Sequence, residues 1–370
     1  MAIRLKRDGT HATLKSSTIE TFRPATFRTL RSLIGMSEDE YQNDWKFEHL
    51  TAKKGSGKSG ALFATSLSRR LMLKTIKSKE KETLLAFLPH YLDYAMANPN
   101  SLIMRLVGFY DVTIGFSTVH VLVFANVLYR AHSGKVAEIF DLKGRKPKPT
   151  HITGDSHGIT VSDNTLGSRK FMVEPELGAK LISQAVRDVK FLASRNLMDY
   201  SLLVGVNPSS LASAVEPGTG IVSDDVLSAS RSGGAGGGCA DSHSGSIFQF
   251  GVRSTGAKGE IYYFGIIDCL TDYSKRKKVA HCCKTCFKFR AEFLSTIPAP
   301  EFAERFLGLI HRVFPKSLLG HLHRESLVHQ LVPDIDFCER AGGADSPPGS
   351  RQMSPVKASP RGMLLQEDTL

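Results

Sequence analysis

Leu197-Met198-Asp199-Tyr200-Ser201-Leu202-Leu203-Val204-Gly205-Val206 and, beyond a polar insert, Ile261-Tyr262-Tyr263-Phe264-Gly265-Ile266-Ile267-Asp268 are the stretches whose reading decides the fold. Each contains an apolar run of similar length, rich in β-formers, which predicts an antiparallel pair over 201–206 and 261–267. Asp199 precedes the first strand and Asp268 follows the second. In an antiparallel pair those positions share one end, so two carboxylates come within reach of one divalent cation. That suits phosphoryl transfer, which needs little beyond metal-held phosphates, an oriented hydroxyl and cations around the moving group. The plain alternative is two strand-end aspartates serving turns.

Working outward, Leu177, Leu181, Ile182, Val186, Val189 and Leu192 recur on one helical face, predicting a helix over 176–195 that Asn196 stops. Residues 1–17 form a flexible basic lead. Phe22, Phe27, Leu30, Leu33 and Ile34 then fall at helical spacing before a polar turn at 37–40. Ala61–Ala64 and Leu71–Ile76 read as two strands joined at Ser68-Arg69-Arg70. Leu84, Leu85, Leu88, Leu92 and Ala95 mark a helix over 79–97, interrupted by Pro89, and 106–110 and 119–124 return to strand character. The order β-β-α-β-β gives an α+β class, antiparallel sheets with packed helices. Residues 207–246 and the tail from 341 are Ser-, Gly- or Pro-rich with little to bury, so both are expected to be disordered, and Ser346, Ser354 and Ser359 before prolines offer phosphorylation sites.

A net charge of +12 and a pI near 9.4 over 370 residues point to polyanionic partners, nucleic acid or an anionic membrane. No nucleic-acid motif or aromatic-interleaved basic patch is present, so nucleic acid ranks last. The six cysteines are mostly clustered and the basic N-terminus lacks an apolar core region, which predicts reduced thiols in the cytoplasm or nucleus. No run approaches the ~18 apolar residues a spanning helix needs, so membrane contact would be peripheral. Cys282, Cys283 and Cys286 contain a C-x-x-C, but no second ligand pair stands nearby to close a zinc site.

Ala52-Lys-Lys-Gly-Ser-Gly-Lys-Ser59 satisfies a relaxed P-loop pattern, yet a charged stretch precedes it and strand-like sequence follows, the reverse of the strand-loop-helix context a P-loop needs. A glycine turn inside a hairpin fits better. Gly55, Ser56, Gly57, Lys58, Ser59 and Gly60 would then lay backbone N–H groups over nucleotide phosphates. Lys74, a cation inside an apolar strand, would reach those phosphates too. Glu82 on the following helix is its expected ion-pair partner, with Glu80 the second choice.

Gly55-Ser-Gly-Lys-Ser-Gly60, Leu73-Lys-Thr-Ile76, Phe140-Asp-Leu-Lys-Gly144, Met198-Asp-Tyr-Ser-Leu-Leu203 and Ile266-Ile-Asp268 together resemble the phosphatidylinositol phosphate kinase family over roughly residues 20–312. The resemblance implies a bilobal kinase-like fold: an N-terminal lobe over 18–128, a catalytic lobe over 129–340, and an activation or specificity loop over 269–297. It implies ATP and Mg2+ as cofactors and a phosphatidylinositol monophosphate in anionic membranes as substrate, yielding the 4,5-bisphosphate. Asp199 would be the catalytic-loop acid, Asp268 the magnesium ligand, and Lys143, with Asp141 in the same word, would face the transferred phosphate. Ala125, Asn126 and Val127, within 123–128, would form the adenine-reading hinge. The family word usually continues with Ser where Arg145 stands. Charge of that sign beside a phosphate site is compatible with activity.

Beyond Asp268, residues 269–290 carry Lys275, Arg276, Lys277, Lys278, Lys284, Lys288 and Arg290 against Asp272 alone, a polybasic loop able to hold anionic headgroups. In the resembled family this loop sets which monophosphate is accepted, and Lys277, Lys278 and Ala280 resemble the branch that uses the 5-phosphate; either branch gives the same product. A phosphoinositide-binding scaffold with weak catalysis is the alternative function. The resemblance also admits a homodimer through the N-terminal lobe.

Overall fold

The structure, a computed structural model, describes residues 6–7, 10–11, 17–45, 53–54, 60–129, 136–145, 160–163, 166–208, 251–257, 259–273 and 297–315. Strands β1 (Ser17–Thr21), β2 (Lys53–Lys54), β3 (Leu62–Thr65), β4 (Leu71–Ile76), β5 (Leu106–Ile114) and β6 (Ser117–Ala125) form a six-stranded sheet in the order β1-β5-β6-β4-β3-β2, every neighbouring pair antiparallel. Helices α1 (Pro24–Ser32) and α2 (Glu38–Asn43) and the long α3 (Ser78–Ala97) lie among these strands in the chain. The polar stretch at 37–40 begins α2 instead of making a simple turn. Ser37 accepts from the Glu40 N–H while the Glu40 carboxylate accepts from the Ser37 N–H, so the two satisfy each other's exposed donors. α3 runs through Pro89, whose missing N–H forfeits one helical bond. Leu84, Leu88 and Tyr91 on either side are almost wholly buried and hold the axis.

A second sheet holds β7 (Glu138–Leu142), β8 (Thr160–Ser162), β10 (Ser201–Pro208), β11 (Val252–Arg253) and β12 (Glu260–Ile267) in the order β8-β7-β10-β12-β11. The expected central pair is there: β10 and β12 are antiparallel, with Ser201 opposite Ile267 and Pro208 opposite Glu260. Asn207 and Pro208 therefore belong to the strand and not to the insert, which otherwise lies outside the described residues. One pair, β7 with β8, is parallel. Past the β10–β12 pair the chain forms a small ribbon, β9 (Leu197–Met198) against β13 (Thr271–Asp272).

Two helices cover this second sheet's residues. α4 (Pro175–Ser194) buries Leu181, Ile182, Val189 and Leu192, and Asn196 ends it in the left-handed region at φ 57°. α5 (Ala299–Val313) buries Phe302, Phe306, Ile310 and Val313. The sheets join through one core. Segment 102–104 pairs with β12 in parallel, Ile266 N–H donating to Leu102 O at 2.7 Å and Met104 N–H to Ile266 O at 2.9 Å, and the chain then passes directly into β5. The buried Asp188 carboxylate on α4 clamps this crossing, accepting from Leu102 N–H at 2.7 Å and from the Tyr94 hydroxyl on α3 at 2.7 Å. The Gln184 amide at 2.9 Å and the Ser101 side chain donate to it as well, which is what makes a carboxylate tolerable there.

Candidate active site

The β10–β12 pairing stops between Ser201–Ile267 and the ribbon pair Met198–Thr271. In that interruption one strand carries residues 199–200 and the other 268–270, and both Asp199 and Asp268 take φ 62°. Aspartate tolerates this left-handed conformation better than most side chains because its short polar group bonds locally. Two acids thus leave the same break in the same ladder, where the antiparallel reading puts them.

Each acid is met by a lysine. Lys143 Nζ donates to Asp199 Oδ1 at 3.0 Å and to Asp199 O at 2.6 Å. Lys74 Nζ donates to Asp268 Oδ1 at 2.6 Å. Cys269, directly after Asp268, is fully buried, and burial pushes its thiol well above the ordinary range. Tyr200 packs edge-on against Phe302 at 4.6 Å and Phe306 at 4.9 Å, fixing the Asp199 loop to α5. Such pairs contribute about 0.5–1.5 kcal/mol each beyond area.

The expected Lys74–Glu82 pair is not formed. Lys74 pairs with Asp268, just past β12, whereas Glu82 pairs with Lys79 at 3.4 Å and is 69% exposed. Glu80, the second choice, instead accepts from the Lys77 N–H at the start of α3. Helical phase explains both: the buried stripe of α3 is Leu84, Phe87, Leu88 and Tyr91, and Glu82 lies off it. Sequence spacing could not supply the true partner, 194 residues away.

Residues 125–127 leave β6 and turn over the second sheet. Ala125 N–H donates to Arg105 O, Asn126 N–H to Arg70 O and the Asn126 amide to Arg69 O, tying the segment to the β3–β4 turn. Val127 and Leu128 press onto Gly265 and Gly205; a Cβ on either glycine would lie 2.7 Å or 2.5 Å from those side chains. The glycines inside the two strand runs therefore mark a close approach of backbone. Asp141 sits on β7 opposite Leu203, with its Oδ1 buried and unpartnered among the described residues. Gly60 is exposed; residues 55–59, like Lys277, Lys278 and Ala280, lie outside the described residues.

Three residues the sequence did not suggest complete the surroundings of Lys143. Asp163, buried, accepts from the N–H groups of Lys143 at 3.0 Å and Gly144 at 2.9 Å. Arg312 and Arg145 approach the same carboxylate at 3.7 and 4.0 Å. Arg305 stacks its guanidinium 4.8 Å from the Phe302 ring centre, and burial together with Arg145 lowers its affinity for a proton while Asp199 raises it. No local pattern marks Asp163. Arg305 and Arg312 are findable only once the spacing of Phe302, Phe306, Leu309, Ile310 and Val313 is taken as a helix.

Among the described residues no cluster of three or more His, Cys, Asp or Glu could hold a metal. Two carboxylates at one strand break suit magnesium, which takes one or two protein carboxylates and completes its shell with waters and substrate phosphates.

Residues 46–313 match the family model described as Phosphatidylinositol-4-phosphate 5-Kinase. A probable phosphatidylinositol phosphate kinase of Dictyostelium discoideum is 32% identical over 82% of this chain and 49% of its own length, so the chain spans about half of that relative. Phosphatidylinositol 5-phosphate 4-kinase type-2 alpha of Gallus gallus is 26% identical over 78% of this chain and 76% of that protein. The type-2 beta protein of Homo sapiens is 26% identical over 76% of this chain and 74% of its own.

Proposed function

Because the chain belongs to the phosphatidylinositol phosphate kinase family, we propose that it transfers the γ-phosphoryl group of ATP to the inositol ring of a phosphatidylinositol monophosphate, working peripherally at an anionic membrane. The observation that carries this reading is the pair of left-handed aspartates in one strand break, each attended by its own lysine. Asp199 orients the acceptor hydroxyl and takes its proton as the new bond to phosphorus forms. Lys143, in contact with Asp199, is placed to neutralise charge gathering on the equatorial oxygens of the moving group. Lys74 does the same for the nucleotide phosphates. Asp268 would hold Mg2+, which would supply positive charge against the nucleotide phosphates. Tyr200 and Cys269, the residues that follow the two acids, are buried and anchor them in the core.

Membrane attachment on this reading comes from charge; among the described residues no helix is long and apolar enough to cross a bilayer. Each basic residue near an anionic leaflet contributes about 1 kcal/mol, and salt weakens it. The acceptor hydroxyl is proposed to be the 4-hydroxyl of the 5-phosphate, on the strength of Ala280. The test offers each monophosphate separately, in vesicles with MgATP, to the purified full chain. Turnover of the 5-phosphate supports the whole proposal. Turnover of the 4-phosphate alone would refute the Ala280 reading, and vesicle binding without turnover of either would favour the scaffold over the kinase.

A further inference from the structure

The second sheet has two unlike faces. Phe140, Leu142, Leu202, Val204, Phe264 and Ile266 point one way into the main core and are at most 3% exposed. Strand alternation sends Asp141, Leu203, Gly265 and Ile267 the other way, and the register sets the first three in line, Asp141 opposite Leu203 and Leu203 opposite Gly265. Val127 presses on this same face at Gly265, so it is the face that meets the segment expected to read the base. Leu203, Ile267 and Asp141 are only partly buried there. Among the described residues Asp141 is the one charged side chain that β7, β10 and β12 place on this face. Its Oδ1 is shielded from solvent and accepts from no described donor, which costs free energy until a donor is supplied. An aspartate carboxyl turns easily about its last torsion, so either oxygen can meet a partner in the cleft.

We propose that Asp141 accepts hydrogen bonds from the ribose hydroxyls of the bound nucleotide, fixing the sugar and selecting ribonucleotide over deoxynucleotide; this rests on the kinase reading above. The base end of the cleft is marked by Val127 over Gly265 and the phosphate end by the Lys74 and Asp268 pair, three residues or about 10 Å further along the chain from Gly265. A nucleotide laid between them passes over Ile267 and Leu203, and Asp141 stands one strand spacing beyond Leu203, about 4.8 Å to the side. Lys143, two residues past Asp141, carries its ammonium to Asp199, so the turn after β7 reaches the phosphate end while β7 itself flanks the middle. A carboxylate only accepts. The donors of ATP are the base amino group, which stays at the Gly265 end two strands from β7, and the two neighbouring ribose hydroxyls; the phosphates repel an acid. A carboxylate on a ribose hydroxyl is also the device by which dinucleotide-binding sheets hold their sugar.

The test measures the affinity of the full chain, with Mg2+ present, for ATP, 2′-deoxyATP and 3′-deoxyATP. Each displaces a fluorescent ATP analogue labelled on its γ-phosphate, which leaves the sugar unaltered. The native chain is expected to bind ATP on the order of tenfold more tightly than at least one deoxy form, the scale of one hydrogen bond to a charged group. D141A is expected to bind all three alike, at the level of the weaker deoxy form. Equal binding of the three by the native chain overturns the proposal without any variant, so a misfolded D141A does not shelter it. A D141A chain that keeps the preference overturns it as well. So does one in which every affinity falls by the same factor with the ratios intact, because a merely structural side chain gives that result. A native chain that binds none of the three defeats both this contact and the kinase reading. Discrimination present in the native chain and lost in D141A, without turnover of any monophosphate, sinks the kinase reading and leaves the ribose contact standing.

Discussion

Gly144→Ala tests whether the turn carrying Lys143 depends on its close approach to α5. Gly144 has φ +74°, and a Cβ there would lie 2.8 Å from the Arg305 carbonyl and 3.2 Å from Leu309 Cβ. Gly115, at the tip of the β5–β6 hairpin, has φ +60° with nothing within 4 Å, and serves as the control. Both substitutions cost about 1–2 kcal/mol for alanine in the left-handed region. Part of that, about 0.4–1 kcal/mol, is offset because alanine also restricts the unfolded chain. G144A alone adds an overpacking cost of about 1–3 kcal/mol, because the clashing atom is helix backbone and cannot swing aside. The expected losses are therefore about 0.5–1 kcal/mol for G115A and about 2–4 kcal/mol for G144A. Urea unfolding of the two full-length variants reads the difference as a shift in midpoint at unchanged slope. Relief of the clash also moves the 143–145 turn by a good part of an ångström, and displacement on that scale at a reacting group costs up to about 100-fold in turnover. Equal midpoint losses in G144A and G115A would refute the close approach. A G144A protein with the turnover of G115A would refute the link between this turn and Lys143.

Asp268→Asn keeps the left-handed backbone, which asparagine also accepts, and removes the charge; turnover should fall at least about 100-fold with far-ultraviolet circular dichroism unchanged. Near-native turnover would end the metal-ligand assignment. Glu82→Gln should alter stability by less than about 0.5 kcal/mol and leave the KM for ATP unchanged, because Glu82 is exposed and pairs with Lys79; a large rise in that KM would restore it as the partner of Lys74. Asp111 accepts from Lys81 at 2.6 Å and His120 at 2.7 Å; although burial opposes it, these bonds hold its pKa below the ordinary carboxylate value. Its stabilisation is therefore present above the unfolded value near 4 and is lost as pH falls through the lower folded value. Asp111→Asn should cost about 1–3 kcal/mol at pH 7, with the gap to the native chain narrowing below about pH 4; a gap independent of pH would count against the ionic origin.

Periodicity made the framework legible. The helix expected over 79–97 runs over 78–97, and the one expected over 176–195 runs over 175–194, because apolar stripes at 3.6-residue spacing must be buried on one side. The β10–β12 pair was equally readable from two apolar runs of matched length. The helix at 38–43 was signalled by Ser37 and Glu40 at capping-box spacing, and α5 by its apolar stripe, yet neither was recognised from sequence. Partners were another matter. Lys74 could be seen to need an acid, but Glu82, close in sequence, was the wrong one.

What the chain order settled alone was the class of fold and the placing of two aspartates at one strand edge, since local burial patterns and antiparallel geometry depend on neighbouring residues. Only the folded molecule decided which charges meet: Lys74 with Asp268, Lys143 with Asp199, and Asp163 beneath a turn that α5 supplies with arginines. Electrostatic pairing falls off over a few ångströms in space and is blind to separation along the chain, so contacts across 194 and 56 residues leave no periodic trace in the sequence.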